Sequence, residues 1–281
     1  MLKGIVIVAV GHAQYGRMAY NLALSIKAVE DISICVVKSD FSLAHLSIKQ
    51  LEIFDHVVDL PGDAPIGCGA KLWANLVTPY DCTLVLDADM LWLPERPPSE
   101  LFDELKDAPF TAITEGYHPD NLHEKYFLWA DPDEIKSKYD IKSEKLYQWR
   151  SEVMYFKKGM DSFFELTRQI YIAPGLSTEK LYGNTTADEL ALVIACGMLD
   201  IHPHEYKWIP AYWYLMNGGR IPEITEIYGR FYLASFGANQ ASGDAIKLYD
   251  KIMKIACYKK GLPHVFPLIS KKSYLPERAK M

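Results

Sequence analysis

Residues 82–93 read CTLVLDADMLWL, an apolar run interrupted by two aspartates that stand one residue apart. Residues 82–86 are short, uncharged and rich in strand-forming side chains, a pattern typical of a strand buried on both faces of a parallel sheet. Open α/β sheets bind ligands in the crevice beyond the carboxyl ends of such strands. The sequence therefore predicts that Asp87 and Asp89 lie at a ligand-binding edge of a sheet.

The segments before this stretch alternate between strand and helix patterns. Residues 4–11 (GIVIVAVG) form a β-branched apolar run that ends in glycine, and residues 32–37 and 55–60 are two further strand candidates. Between residues 18 and 29, and again over residues 71–77, apolar side chains recur at helical spacing. This alternation predicts the opening of a doubly wound α/β fold.

Beyond residue 93 the pattern becomes less regular. Ser99 is a predicted N-cap for the helix that follows three prolines, and residues 115–149 read as loops and short helices. A strand over residues 152–156, a helix over residues 187–199 and a last strand over residues 230–236 complete the prediction. Because the chain has no internal repeat and no Gly/Ser linker, we expect one compact domain.

Composition is that of an ordinary globular protein. The chain has 281 residues, of which 49% are hydrophobic and 23% are charged, so a substantial core is expected. Its five cysteines are scattered without CxxC pairing, which favours reduced thiols over disulfides or a zinc site. No apolar stretch approaches the ~18 residues of a membrane span. We therefore expect a cytoplasmic protein without a transmembrane segment.

Charge is distributed unevenly along the chain. The net charge of −6 argues against a general nucleic-acid binder, yet residues 251–281 carry eight basic residues and one acidic residue, a net charge of +7. The remaining residues therefore carry −13. Such asymmetry indicates contact with an anionic partner, such as a membrane surface, a nucleic acid or a phosphorylated acceptor, or else a solvated helix face.

The two aspartates suit one hard divalent cation. Magnesium and manganese prefer carboxylate oxygens and leave coordination positions open for diphosphate oxygens. A metal held in this way neutralises the charge that develops on a departing nucleoside diphosphate. Asp87 and Asp89 are therefore predicted metal ligands, with a pair of solvated aspartates in a turn as the plain structural alternative.

Two other enzyme classes place an acidic motif after a strand. Phosphatases of the haloacid-dehalogenase type need a hydroxyl side chain two residues after the second aspartate, where this chain has Leu91. Sugar-nucleotide pyrophosphorylases need a glycine-rich loop after the first strand, and residues 11–17 (GHAQYGR) match that loop poorly. Both alternatives are disfavoured and both stay open.

Residues 71–90, KLWANLVTPYDCTLVLDADM, resemble the DxD-containing segment of GT-A glycosyltransferases, most closely the glycogenin- and galactosyltransferase-like family with retaining chemistry. The likeness extends from the first strand to about Phe236. It implies a GT-A fold of α/β class, with a Rossmann-like, mostly parallel central sheet flanked by helices. It further implies a nucleotide-sugar-binding half at residues 1–93, an acceptor-side half at residues 94–240 and a basic C-terminal segment at residues 241–281.

The resemblance also implies which residues act. Asp188 occupies a position at which related enzymes carry an acidic residue facing the acceptor or the sugar, and it is the predicted catalytic residue. Its neighbour Glu189 is assigned to a helix-capping box with Thr186. The residues implied to contact the nucleotide sugar are Val10, Gly11, His12, Tyr15, Lys38, Asp40, Lys71, Asp87 and Ala88.

The sequence departs from the family pattern in two places. The family has a small N-S/A-G turn before the strand at residues 152–156, where this chain has residues 149–152 (WRSE), so the acceptor side is expected to differ. The family also supplies a histidine near its C-terminal end as a third metal ligand. His202, His204 and His264 are the candidates here, and the third ligand stays unassigned.

Together these features predict a metal-dependent glycosyltransferase that moves a hexose from a UDP-sugar to an acceptor hydroxyl. The acceptor stays open among a glycan, a protein, a small molecule and a modified nucleic-acid base. The alternatives are a phosphatase or nucleotidyltransferase that uses the same metal site, and a catalytically silent nucleotide-sugar-binding protein.

Overall fold

A six-stranded sheet forms the centre of the molecule. The computed structural model describes residues 1–39, 41–114, 130–176, 187–204, 212–214 (backbone only), 223–237, 243–261 and 266–267. The central sheet has the order β3-β2-β1-β4-β7-β6. Its strands are β1 (Lys3–Ala9), β2 (Ser33–Lys38), β3 (His56–Asp59), β4 (Cys82–Asp87), β6 (Phe110–Thr114) and β7 (Trp149–Lys157). A smaller sheet pairs β5 (Met90–Trp92), β9 (Leu233–Ser235) and β8 (Tyr212–Tyr214).

The central sheet is mostly parallel, as predicted. Strands β1, β2, β3 and β4 pair in parallel, whereas β7 runs antiparallel to both β4 and β6. The carboxyl ends of β1, β2 and β4 therefore meet at one edge of the sheet. The register pairs Val8 of β1 with Asp87 of β4, which places the first aspartate beside the end of the first strand.

Helices cover both faces of the sheet. Helices α1 (Ala13–Val29) and α9 (Gly243–Lys260) pack on one face together with the small sheet, and α6 (Asp161–Ile172) and α7 (Asp188–Met198) pack on the other. The remaining helical segments are α2 (Ile48–Leu51), a 3₁₀ helix at Cys68–Trp73, α3 (Ala74–Val77), α4 (Pro98–Glu104), α5 (Pro132–Lys138) and α8 (Ile224–Ile227). This arrangement confirms the predicted α/β class.

Several predicted boundaries were wrong in detail. The predicted helix over residues 71–77 is a 3₁₀ helix followed by one α-helical turn, and β7 begins three residues before the predicted strand. Ser99 is not an N-cap, because the helix begins at Pro98 and Pro97 occupies the cap position. The Ser99 amide donates instead to the Glu30 carboxylate at 2.8 Å. A side chain distant in sequence therefore accepts a hydrogen bond from one of the free backbone N–H groups in the first turn of the helix.

The cysteines form no disulfide among the described residues. All five cysteines are free thiols, and Cys35, Cys82 and Cys196 are buried. Across the described ranges, every helix is too short or too polar to cross a membrane.

Gly16 of α1 allows the loop after β2 to approach the helix. A Cβ atom at this position would lie 2.0 Å from the Ser42 carbonyl oxygen, far inside van der Waals contact. We therefore expect Gly16→Ala to lower the free energy of unfolding by about 2 kcal/mol, although alanine is the better helix former by ~1 kcal/mol. Urea denaturation measures this change.

Gly243, the first residue of α9, is the matched control, because a Cβ atom there would have no other atom within 4 Å. Gly243→Ala should change the free energy of unfolding by less than about 0.5 kcal/mol. A Gly16→Ala variant as stable as the parent chain would show that the loop after β2 does not press against α1.

Candidate functional site

The two aspartates lie where the chain leaves the central sheet. Asp87 ends β4, Ala88 and Asp89 form a turn, and Met90 opens β5 of the small sheet. The Phe236 amide, directly after β9, donates to the Asp89 carbonyl at 3.1 Å and so holds the turn in place. The acidic pair is therefore fixed by both sheets, and the Asp87 side chain keeps 25% of its surface exposed.

A cleft of about 400 Å³ opens above this turn. Its volume lies in the range of small-molecule sites, about 300–1,000 Å³. Six predicted site residues line it, namely Val10, Tyr15, Lys71, Asp87, Ala88 and Asp89. Ile66, Gly67, Cys68 and Tyr171 complete one wall, and Val8 lies at the end of β1. The structure thus gathers most of the predicted donor-binding residues around one cavity.

Lys71 is the central cation of the site. The residue belongs to the 3₁₀ helix, and its side chain is buried in the protein. Its Nζ lies 2.7 Å and 2.8 Å from the two carboxylate oxygens of Asp87. The same Nζ donates to Ser151 Oγ at 3.2 Å and lies 3.6 Å from Asp188 Oδ2. A buried ammonium group requires such partners. Lys71 therefore connects β4, β7 and α7.

Burial and neighbouring charges shift the pKa values of Lys71 and Asp87. Burial alone would lower the pKa of Lys71, but the carboxylates of Asp87 and Asp188 outweigh it and raise that pKa. Burial raises the pKa of Asp87 to about 7, with Lys71 opposing the rise and Asp89 adding to it. Lys71 consequently stays charged at neutral pH. Nearby charges as well as burial therefore set the pKa values of Lys71 and Asp87, which line the cleft.

Asp188 lies in the first turn of α7 with 4% of its surface exposed. Among the described residues its Oδ2 accepts no hydrogen bond, although it faces the Lys71 ammonium. The positive end of the helix dipole favours a carboxylate at this position. The predicted catalytic residue and the predicted metal ligand Asp87 are thus joined through Lys71.

The capping box predicted for Glu189 was wrong. Helix α7 is capped at Ala187, which supplies no side-chain hydrogen bond, and Thr186 lies outside the described residues. Glu189 Oε1 instead lies 3.7 Å from Arg150 Nε on β7. Glu189 therefore forms an ion pair with a largely buried cation of the neighbouring strand.

Arg150 belongs to a charged group that sequence reasoning missed. Its Nη2 lies 3.4 Å from Glu152 Oε1, and all three side chains, of Arg150, Glu152 and Glu189, are largely buried. Burial raises the pKa of Glu152 and of Glu189, while Arg150 opposes both shifts. Part of the signal was present in the sequence, because Arg150 and Glu152 stand where the family pattern has a small turn.

A network of buried charges extends from the cleft into the protein. Asp87, Asp89 and Lys71 line the cleft, and the network continues through the buried side chains Asp188, Arg150, Glu152 and Glu189. Uncompensated buried charge is costly and is neutralised by protons or by a bound cation. Burial raises the pKa of Asp87, Glu152 and Glu189, which favours their protonated forms.

Asp87 and Asp89 supply the oxygen ligands that magnesium and manganese prefer. Across the described ranges, three or more His, Cys, Asp or Glu side chains nowhere come together in a way that could hold a metal ion. His202 contacts Asp200 at 3.0 Å and Tyr147 at 3.2 Å, and the His204 amide donates to Thr111. His264 lies outside the described residues. Asp87 and Asp89 therefore stay the predicted metal ligands, and the third ligand stays unassigned.

Among the described residues, Gly11, His12 and Lys38 are predicted donor-binding residues that do not line the cleft. Gly11 adopts a φ of +87°, and its amide donates to Ser39 Oγ at 2.8 Å. His12 is the N-cap of α1, where its Nδ1 accepts from the Gln14 amide. Lys38 pairs with Asp59, and Asp40 lies outside the described residues. Their roles stay predictions.

Comparison with known proteins identifies the fold. No protein-family model matches the sequence, and no curated protein matches it. The structure resembles the bifunctional glycosyltransferase WbbM with a TM-score of 0.55 at 12% identity, covering 90% of this chain and 49% of that one. It also resembles the galactosyltransferase LgtC, solved with donor and acceptor sugar analogues, with a TM-score of 0.51 at 12% identity, covering 93% of this chain and 97% of that one.

Both neighbours are glycosyltransferases of the GT-A type, and at this identity the likeness concerns the fold alone. The chain therefore has the predicted GT-A fold, in which β4 belongs to the central sheet and the turn at Ala88 and Asp89 follows it. It spans about half the length of WbbM and nearly the whole length of LgtC.

Proposed function

We propose that this protein is a metal-dependent glycosyltransferase that moves a hexose from a nucleotide-diphosphate sugar, preferentially a UDP-sugar, to an acceptor hydroxyl. One observation carries the proposal. In a GT-A fold, the acidic pair at the end of β4 lines a cleft whose floor contains Lys71 held between Asp87 and Asp188. This arrangement places a predicted cation site and a fixed positive charge in the lining of one cavity, with the buried Asp188 carboxylate 3.6 Å from the Lys71 Nζ.

Each part of the cleft has a chemical task in this proposal. Val10 and Tyr15 offer an apolar and aromatic wall for the nucleoside. A cation held by Asp87 and Asp89 neutralises the charge on the departing diphosphate when it is bound. Lys71 holds the Asp87 carboxylate in place, and Asp188 accepts hydrogen bonds from sugar or acceptor hydroxyls.

The structure weighs against a phosphatase. Leu91 is fully buried in β5 and pairs with Ala234 of β9. A phosphatase of the haloacid-dehalogenase type would need a hydroxyl side chain facing the aspartates at this position. The buried leucine supplies none and contributes to the core.

A nucleotidyltransferase is also disfavoured. Strand β1 ends at Ala9 and helix α1 begins at Ala13, so residues 10–12 alone connect them. These three residues contain a single glycine, Gly11, so the connection does not form a glycine-rich loop. Val10 of this connection lines the cleft.

Ligand-induced stabilisation tests the proposal directly. The protein is heated with UDP-, GDP-, CMP- and dTDP-sugars, each with and without Mn²⁺. At a ligand concentration of about 100 times Kd we expect one nucleotide class to stabilise the fold by about 2.7 kcal/mol, which raises Tm by several degrees only when Mn²⁺ is present. Stabilisation by none of the nucleotides would contradict the proposal.

Release of the donor's nucleoside diphosphate then separates an enzyme from a silent binding protein. The stabilising sugar nucleotide is incubated with the protein, Mn²⁺ and a mixture of acceptor glycans. We expect UDP to accumulate faster than in the absence of protein. Tight binding without any release of UDP would favour the silent binding protein.

A further inference from the structure

The outer face of α9 carries a row of lysines. Lys247, Lys251, Lys254 and Tyr258 follow one another at intervals of four, three and four residues, which places them on one side of the helix. All four are exposed, and Tyr258 exposes 90% of its surface. Lys259 and Lys260 add positive charge at the helix end on other sides of the helix, where Lys259 Nζ donates to the Pro94 carbonyl oxygen at 3.4 Å. We call Lys247, Lys251, Lys254 and Tyr258 the α9 basic face.

The opposite side of α9 fixes this face rigidly on the molecule. Leu248, Ile252 and Met253 are buried against α1 and the small sheet. The buried Tyr249 hydroxyl accepts a hydrogen bond from Asn21 Nδ2 at 2.7 Å. The basic face is therefore a fixed surface of the domain.

Acidic neighbours neutralise little of this surface. Lys247 pairs with Asp244 at 2.9 Å, and Lys251 lies 4.0 Å from Glu223. Both pairs are exposed to solvent, where ion pairs contribute little and are readily exchanged for other partners. The α9 basic face thus keeps a positive potential that is available to a larger anionic surface.

Helix α9 is positively charged within a negatively charged chain. Its residues include five lysines and two aspartates, a net charge of +3, whereas the whole chain carries −6. An anionic surface is therefore attracted to α9 although the chain as a whole is acidic.

We propose that the α9 basic face docks the protein on a membrane surface rich in anionic lipid. Lysine stems and a tyrosine ring suit the boundary between headgroups and acyl chains, and each lysine close to such a surface contributes favourably. The α9 residues include no arginine, the side chain that nucleic-acid sites favour for bidentate phosphate and base contacts. The proposal does not depend on the enzymatic activity.

Vesicle co-sedimentation tests the docking face. The full chain is mixed with vesicles of pure phosphatidylcholine or of an equimolar mixture with phosphatidylserine. We expect binding only to the mixed vesicles, and weaker binding as salt is added. The triple variant Lys247→Glu/Lys251→Glu/Lys254→Glu should bind at least about tenfold more weakly.

A matched triple variant controls for the change in net charge. Lys106→Glu, Lys136→Glu and Lys142→Glu alter exposed lysines away from α9 and should reduce binding less than about threefold. Unchanged Tm of both triple variants confirms that they fold. A second variant, Tyr258→Ser, keeps the charge and should still weaken binding.

Four results would overturn the proposal. The first is equal binding to both vesicle types, and the second is an equal effect of the two triple variants. The third is binding to a single-stranded oligonucleotide that the α9 triple variant abolishes, without any binding to mixed vesicles. Loss of vesicle binding on deletion of residues 268–281, with no effect of the α9 triple variant, would likewise reject the α9 basic face.

Discussion

Asp89→Asn is expected to reduce metal-dependent sugar transfer by about a thousandfold or more while the protein stays folded. The substitution replaces one of the two carboxylates at the end of β4 with a neutral amide of the same shape. The cation then loses a charged ligand, and the departing diphosphate loses its charge stabilisation. We would measure kcat/KM for the stabilising sugar nucleotide over a range of Mn²⁺ concentrations.

Asp89 is a cleaner position for this test than Asp87. The Asp87 carboxylate also pairs with Lys71, so its removal would disturb the buried charges as well as the cation. Asp103→Asn is the matched control, since Asp103 is exposed and pairs with Lys3 far from the cleft. We expect that control to change kcat/KM less than about twofold. Full activity of the Asp89→Asn variant would remove the acidic pair from the mechanism.

The local parts of the site were predictable from sequence. The apolar run of β4 and the two aspartates that follow it are neighbours in the chain, so the strand pattern alone places them at a sheet edge. The position of Leu91 in a buried strand follows from the same run. Here the hydrophobic pattern and the chemistry lie within one short segment.

The charge partners were not predictable, because they come from distant segments. Lys71 meets Ser151 and Asp188 only when β7 and α7 pack against the 3₁₀ helix. Nothing in the local sequence indicates that this lysine is buried. The resemblance placed Lys71 near the donor but gave no account of the carboxylates that keep it charged.

Errors in helix capping have the same origin. Ser99 and Glu189 both stand in patterns that favour a local cap, yet each contacts a residue far along the chain, Glu30 and Arg150 respectively. A buried or partly buried charge that needs a partner outweighs a local hydrogen bond of about 1 kcal/mol. Sequence rules for capping therefore fail first where charged side chains are drawn into the interior.

Lys71→Met is expected to lower the free energy of unfolding by about 3 kcal/mol at neutral pH. Methionine fills a similar volume but leaves the carboxylates of Asp87 and Asp188 without their shared cation. A buried carboxylate without a partner is destabilising by more than its ion pair contributes. Urea denaturation in the absence of added metal measures the loss. As a control, substitution of the exposed Lys136 by methionine should lower the free energy of unfolding by less than about 0.5 kcal/mol.

A double variant identifies the cause of that loss. Asp188→Asn removes one of the two stranded charges, so Lys71→Met/Asp188→Asn should be more stable than Lys71→Met alone by about 1 kcal/mol or more. If the two substitutions simply added, the loss would come from packing of the lysine stem rather than from charge. Recovery of stability in the double variant would instead mean that Lys71 holds Asp87 and Asp188 together against their mutual repulsion, the arrangement on which the proposed donor site depends.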